Sequence, residues 1–177
     1  MYTRNLLWLV SLVSAAPLYA ADVPANTPLA PQQVFRYNNH SDPGTLDPQK
    51  VEENTAAQIV LDLFEGLVWM DGEGQVQPAQ AERWEILDGG KRYIFHLRSG
   101  LQWSDGQPLT AEDFVLGWQR AVDPKTASPF AGYLAQAHIN NAAAIVAGKA
   151  DVTSLGVKAT DDRTLEVTLE QPVPWFT

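Results

Sequence analysis

The most regular alternation of hydrophobic and polar positions in this chain lies near its middle. Tyr93, Phe95 and Leu97 alternate with more polar residues, which is the period of a strand with one buried face. Apolar residues then recur at the spacing of one helix face: Phe114, Val115, Trp118, Ala121 and Val122. Thr110 precedes this run as a candidate N-cap, and Pro124 ends it. This stretch therefore predicts a strand, a turn and a capped helix.

Weaker periodicities and turn residues predict further elements on both sides. In chain order they are a strand at 34–37, a helix at about 55–66, strands at 68–70, 75–78 and 81–86, helices near 130–134 and 140–148, and a strand at 164–169. The helix at 55–66 is expected to bury Ile59 and Leu63, and Trp103 is expected in the core. The order of these elements predicts an α+β fold, with one mostly antiparallel sheet flanked by helices.

The N-terminal residues have the layout of a secretory signal peptide. Arg4 is followed by an apolar run at 6–16, which is too short to span a bilayer, and Pro17 breaks the run shortly before Ala20. We therefore expect residues 1–20 to be a signal peptide that is cleaved after Ala20, and the mature chain to be exported. A buried N-terminal helix is the alternative interpretation.

Composition and charge narrow the classes of function. The chain is 45% hydrophobic and 19% charged, as in globular proteins, and its formal net charge is -9. An acidic surface argues against binding to nucleic acid or to anionic lipid. Because the chain has no Cys, it can carry no disulfide, no thiol nucleophile and no lipid anchor on an N-terminal Cys. We expect a protein that is not itself anchored to a membrane.

An enzyme would need a nucleophile or a pair of converging acids, and the sequence offers neither. The adjacent acids at 52–53, 112–113 and 161–162 point in different directions along a strand or helix, and each has a local explanation. No nucleophile elbow accompanies His96, no glycine-rich phosphate loop is present, and no cluster has metal-ligand spacing. We therefore predict no catalytic residue, no metal site and no cofactor, which leaves a binding module.

Several motifs together resemble a known family. The segments LDP, DLFEGL, AERWE, FHLRSGLQWSDGQPLTAEDFVLGWQR and DPKTASPFAGYL are similar to those of the peptide-binding proteins of ABC importers, which are solute-binding protein family 5. The resemblance covers nearly everything after residue 20, and it is greater to oligopeptide and murein-peptide binders than to dipeptide or nickel binders. It implies the N-terminal part of a two-lobed periplasmic-binding-protein fold of type II, cluster C-like. Residues 21–65 would begin the first ligand-binding lobe, and 66–177 would form a truncated additional α+β subdomain, with the second lobe absent.

The resemblance also implies a site. In this family two lobes close over an extended peptide, which is held by main-chain hydrogen bonds like an added strand. The segment against the peptide falls on Glu52, Glu53 and Asn54, where the family often has a small residue and a nearby Pro. A ligand-facing aromatic falls on Phe130, where Tyr is common. For residues 52–54 the alternative is a plain lead-in to the helix, and for Phe130 it is an aromatic side chain of the core. In the family, the residues that pair with the peptide termini belong to the part of the protein that is missing here.

These observations predict a monomeric periplasmic component that captures oligopeptides and delivers them to an ABC permease in the inner membrane. Within the family, a murein-peptide, dipeptide or nickel-chelate binder is the alternative. An exported hydrolase domain and a non-functional remnant of a split gene are the alternatives from other classes. As an N-terminal fragment, the chain is expected to bind peptide weakly or not at all, because a single lobe leaves the site open.

Overall fold

The computed structural model describes residues 27–28, 31–32 and 34–177. It divides into a first unit, which ends at Asn38, and a second unit, Asn39–Thr177. The predicted signal peptide and its cleavage site lie outside the described residues. In the first unit, residues 34–38 have no regular secondary structure and the rings of Phe35 and Tyr37 stack with their centroids 6.0 Å apart. The predicted strand at 34–37 is wrong, because a strand needs a paired neighbour and no described strand pairs with this segment.

The second unit contains the regular elements. In chain order they are α1 (Asn54–Leu63), β1 (Val68–Met70), β2 (Val76–Pro78), β3 (Ala81–Leu87), β4 (Arg92–Leu97), α2 (Ala111–Val122), α3 (Ala131–Gln136), α4 (Ala142–Val146), a 3₁₀ turn (Val152–Ser154), β5 (Val157–Asp161) and β6 (Thr164–Thr168). The strands β1 and β2 form a hairpin, and the other strands form a four-stranded antiparallel sheet in the order β3-β4-β6-β5. The predicted α+β architecture is confirmed.

The two inner strands of this sheet supply the centre of the core. Their alternating residues face the same side, and in register Tyr93 lies opposite Val167 and Phe95 opposite Leu165. All of these side chains are buried, as the period of the sequence predicts. The helix α2 packs on this face and buries Val115.

The first turn of α2 is fixed by a side chain of its own. The Asp113 carboxylate accepts hydrogen bonds from the Thr110 backbone N–H at 2.7 Å and from the Thr110 hydroxyl at 3.0 Å. A carboxylate here also interacts favourably with the positive end of the helix dipole. The helix ends at Asp123, whose backbone is extended before Pro124. The predicted start and end of this helix are confirmed.

The outer strands of the sheet, β3 and β5, each contain an irregularity in their register. In β3 the shift lies between Ala81 and Arg83, and in β5 it lies between Ala159 and Asp161. Both irregularities are at the end of the sheet where β4 finishes. The edges are therefore less regular than the two strands between them.

Two predicted burials are wrong. In α1 only Ala56 is buried, and Leu63 is 61% exposed, since no described element covers the outer face of this helix. The helix also ends at Leu63, because Phe64 is already extended. Trp103 is 41% exposed, since it lies in the turn that the bridge between Gln102 and Pro108 closes, outside the sheet.

Candidate functional site

The segment in front of α1 is a short stretch with one buried residue. Val51 is buried, whereas Glu52 and Glu53 are exposed. Glu53 is extended, with φ -92° and ψ 142°, and its carbonyl accepts from the N–H groups of Ala56 and Ala57 at 3.2 and 3.0 Å. The helix therefore begins directly after the extended stretch, and Asn54 is its first residue.

The backbone of Glu52 is the open part of this stretch. Within the described part of the chain, its carbonyl accepts no hydrogen bond, and the residue is exposed. An exposed carbonyl without a protein partner can accept a hydrogen bond from an incoming extended chain.

The Glu53 side chain is engaged locally. Its Oε1 atom accepts from the Gly44 N–H at 2.7 Å, and this hydrogen bond lowers the pKa of the Glu53 carboxyl. A Cβ atom on residue 44 would lie 2.6 Å from that oxygen, so a larger residue at this position would require the Glu53 side chain to shift. The Glu53 carboxylate therefore holds the loop before it in place, whereas the Glu52 carbonyl has no hydrogen-bond partner among the described residues.

Phe130 stands at the start of α3 and is 46% exposed, outside the hydrophobic core. Its N–H donates to the Ser128 hydroxyl at 3.2 Å, and that hydroxyl donates to the Gln49 carbonyl at 2.7 Å. Ser128 thus joins the loop of Phe130 to the segment that leads to Glu52. The structure brings the two predicted site regions together through this hydroxyl.

Residues 75–177 match the model of the bacterial extracellular solute-binding proteins, family 5 (middle region). This chain belongs to family 5. It is 51% identical over 168 residues to the periplasmic oligopeptide-binding protein OppA of Salmonella typhimurium, a match that covers 95% of this chain and 31% of the relative. Over 168 residues it is 46% identical to the periplasmic murein peptide-binding protein MppA of Escherichia coli, with the same coverage. The chain thus spans about a third of the length of these relatives.

Solved structures of periplasmic binding proteins are also similar to this chain. The chain aligns with the murein tripeptide binding protein MppA of Escherichia coli with a TM-score of 0.73 and 48% identity, over 76% of this chain and 26% of that one. It aligns with Haemophilus influenzae OppA in complex with RPPGFSPFR with a TM-score of 0.75 and 45% identity, over 78% and 27%. The sequence-based assignment to the family, and its similarity to oligopeptide and murein-peptide binders, are confirmed.

Sequence reasoning missed one group of residues in this family 5 chain. Arg120 in α2 binds both oxygens of Asp47, at 2.9 and 2.6 Å, and it also donates to the Gln49 side chain at 2.6 Å. The hydrogen bond to Arg120 lowers the pKa of the Asp47 carboxyl to about 2. The motifs LDP and GWQR contain Asp47 and Arg120, but no local period connects positions that are 73 residues apart.

One acid of each adjacent pair has a structural partner, and in the first pair it is Glu53. Asp113 caps α2, and the Asp161 carboxylate accepts from the Arg163 N–H at 2.8 Å. His96 Nε2 lies 2.8 Å from the Glu85 carboxylate, across two paired strands. In the described ranges, no three His, Asp or Glu side chains are grouped so as to hold a metal ion. Across the same ranges, every helix falls short of the length and apolarity that crossing a membrane requires.

Proposed function

We propose that this chain is the N-terminal part of a solute-binding component of an ABC importer, which captures oligopeptides and delivers them to a permease in the inner membrane. The proposal includes export to the periplasm after cleavage behind Ala20, a monomeric state and no enzymatic activity. Its support is family membership and the similarity to OppA and MppA, whose names state oligopeptide and murein-peptide binding.

The geometric support for the proposal is the link between the segment that leads to Glu52 and the loop of Phe130. Glu52 is exposed and has an open carbonyl, and Gln49, three residues before it, is linked through Ser128 to the loop of the exposed Phe130. An open backbone acceptor suits a peptide ligand, because every peptide offers N–H groups regardless of its side chains. Glu52, Glu53 and Asn54 would lie along the peptide, and Phe130 would supply an apolar contact.

Murein-peptide binding is the second candidate, because MppA of Escherichia coli is 46% identical to this chain. A murein peptide shares the extended backbone of an oligopeptide, so the same open carbonyl would serve both. The two candidates differ in the ligand side chains and termini, which the segment around Glu52 does not contact in a backbone-only mode.

The test is calorimetric titration of the protein expressed from its complete reading frame. The ligands are mixed-sequence tripeptides to pentapeptides, a murein tripeptide, a dipeptide mixture and a nickel chelate. We expect micromolar or tighter binding of the oligopeptides and intact peptide after incubation. Binding of the nickel chelate alone, hydrolysis of the peptide, or no binding of any ligand would each contradict the proposal. Preferential binding of the murein tripeptide would select the second candidate.

A further inference from the structure

Arg120 makes the most extensive side-chain interaction with the loop in front of the open segment. Its two terminal nitrogens bond the two Asp47 oxygens at 2.9 and 2.6 Å, which is the paired geometry that guanidinium and carboxylate groups favour. One of them also donates to Gln49 Oε1 at 2.6 Å. A single side chain of α2 therefore holds two residues of the loop.

Further hydrogen bonds connect Asp47 and Gln49 to backbone groups of the loop and of its neighbours. The Asp47 carboxylate accepts from the Gln49 N–H at 3.1 Å, and the Asp47 carbonyl accepts from the Lys50 N–H at 2.9 Å. Gln49 Nε2 donates to the Gly117 carbonyl at 2.5 Å, and the Gln49 carbonyl accepts from Ser128 at 2.7 Å. Gln49 is thus fixed through its N–H, its carbonyl and its side chain, shortly before Glu52.

We propose that Arg120 is a positioning residue for peptide binding, which acts through Asp47 and Gln49 to hold the Glu52 backbone where an extended peptide can pair with it. The inference rests on the proposed function. An unpaired extended backbone that is already ordered loses less conformational freedom when the ligand binds. If Arg120 is removed, ordering about one residue at the moment of binding weakens affinity by roughly tenfold.

Comparing the effect on ligand affinity with the effect on folding stability distinguishes a positioning role of Arg120 from a stabilising one. The Arg120 side chain is 47% exposed, and ion pairs at exposed positions usually contribute little to folding stability. Removing it is therefore expected to change the melting temperature no more than removing a comparable surface pair. Arg83 is the matched control, since it is 58% exposed and bonds Glu85 at 2.9 Å within β3.

The experiment uses the protein from its complete reading frame and one defined pentapeptide. The variants are Arg120→Met, Asp47→Asn, the double variant and Arg83→Met. We expect a roughly tenfold larger Kd for each of the first two, and a double variant no worse than Arg120→Met, because residues that act through one another are not additive. Arg83→Met is expected to keep its Kd within about twofold. Similar melting temperatures for Arg120→Met and Arg83→Met would accompany this result.

A second readout distinguishes positioning from a general loosening of the fold. The peptide is methylated at one backbone nitrogen at a time, which removes one N–H donor. In the unmodified protein one position is expected to lose the most affinity, and in Arg120→Met that loss should shrink because the Glu52 carbonyl is no longer held. An unchanged loss, or an unchanged Kd in Arg120→Met, would overturn the inference and leave peptide binding intact. Absence of binding by the unmodified protein would overturn both proposals.

Discussion

Two regions of the second unit differ in how their apolar side chains are covered. Tyr93 and Leu165 on the inner strands are at most 4% exposed, whereas Leu61 and Leu63 on α1 are 72% and 61% exposed. Both regions have apolar periodicity in the sequence. Other elements of the same chain cover the apolar face of the strands, whereas no other described element covers the outer face of α1. Periodicity therefore predicts which side chains share a face, and the presence of a covering element decides whether that face is buried.

The largest expected effect comes from a cavity in the covered region. Leu165→Ala in β6 removes a fully buried side chain and is expected to lower the free energy of unfolding by about 2–5 kcal/mol. Leu61→Ala, at a position that is 72% exposed, is the control and is expected to stay within about 0.5 kcal/mol. Urea denaturation of both variants measures the difference. Equal losses would mean that the outer face of α1 is buried after all.

The next effect concerns ligand binding at the exposed ring of Phe130. Phe130→Ala is expected to raise the Kd for an oligopeptide by roughly tenfold, because the variant loses an aromatic contact. Phe130→Tyr should keep the affinity, since the ring remains. Ile86→Ala is the control, because Ile86 is a large exposed side chain on β3. Titration calorimetry decides, and an unchanged Kd in Phe130→Ala would remove Phe130 from the site.

A smaller effect tests the start of α2 in the covered region. Asp113→Ala removes the carboxylate that bonds Thr110 at 2.7 and 3.0 Å, and it is expected to destabilise the protein by about 1 kcal/mol. Glu112→Ala changes the neighbouring acid, which bonds nothing at the cap, and is expected to have a smaller effect. If the two variants unfold at the same urea concentration, the cap does not stabilise this helix.

The smallest effect is a pH dependence at Asp47. Because the hydrogen bond to Arg120 lowers the pKa of Asp47 to about 2, the pair stabilises the fold above the carboxyl's unfolded pKa, near 3.9. That stability is lost as the pH falls through the folded pKa. Arg120 is 47% exposed, so solvent screens the pair and its contribution to folding stability is expected to be small. The stability difference between the wild type and Asp47→Asn should therefore shrink from pH 4 to pH 2 in urea titrations. A constant difference, or an equal change in the exposed control Asp42→Asn, would contradict this.

The sequence predicted correctly those elements whose local pattern agrees with the pairing and packing in the fold. The alternation at Tyr93, Phe95 and Leu97 and the cap at Thr110 predict β4 and α2 correctly, because each is encoded within a few residues. Burial of Leu63 was predicted wrongly, since a helical period does not say what lies opposite it.

The candidate site was predictable only in part. Resemblance to the family pointed to residues 52–54 and Phe130, and their roles stay predictions. The contacts of Arg120 with Asp47 and of Ser128 with Gln49 were not predicted, since they join residues 73 and 79 positions apart. Such contacts depend on tertiary packing, and neither periodicity nor turn chemistry encodes them.

The irregular registers of β3 and β5 bear on self-association. An edge strand with a regular backbone can pair with a second copy and start edge-to-edge aggregation. Here both outer strands are interrupted near the same end, and β3 also presents the exposed charges of Glu82, Arg83 and Glu85. These shifts disfavour continuation of the ladder in register by a second copy at these points. We therefore expect that the sheets of separate copies do not pair edge to edge at high protein concentration.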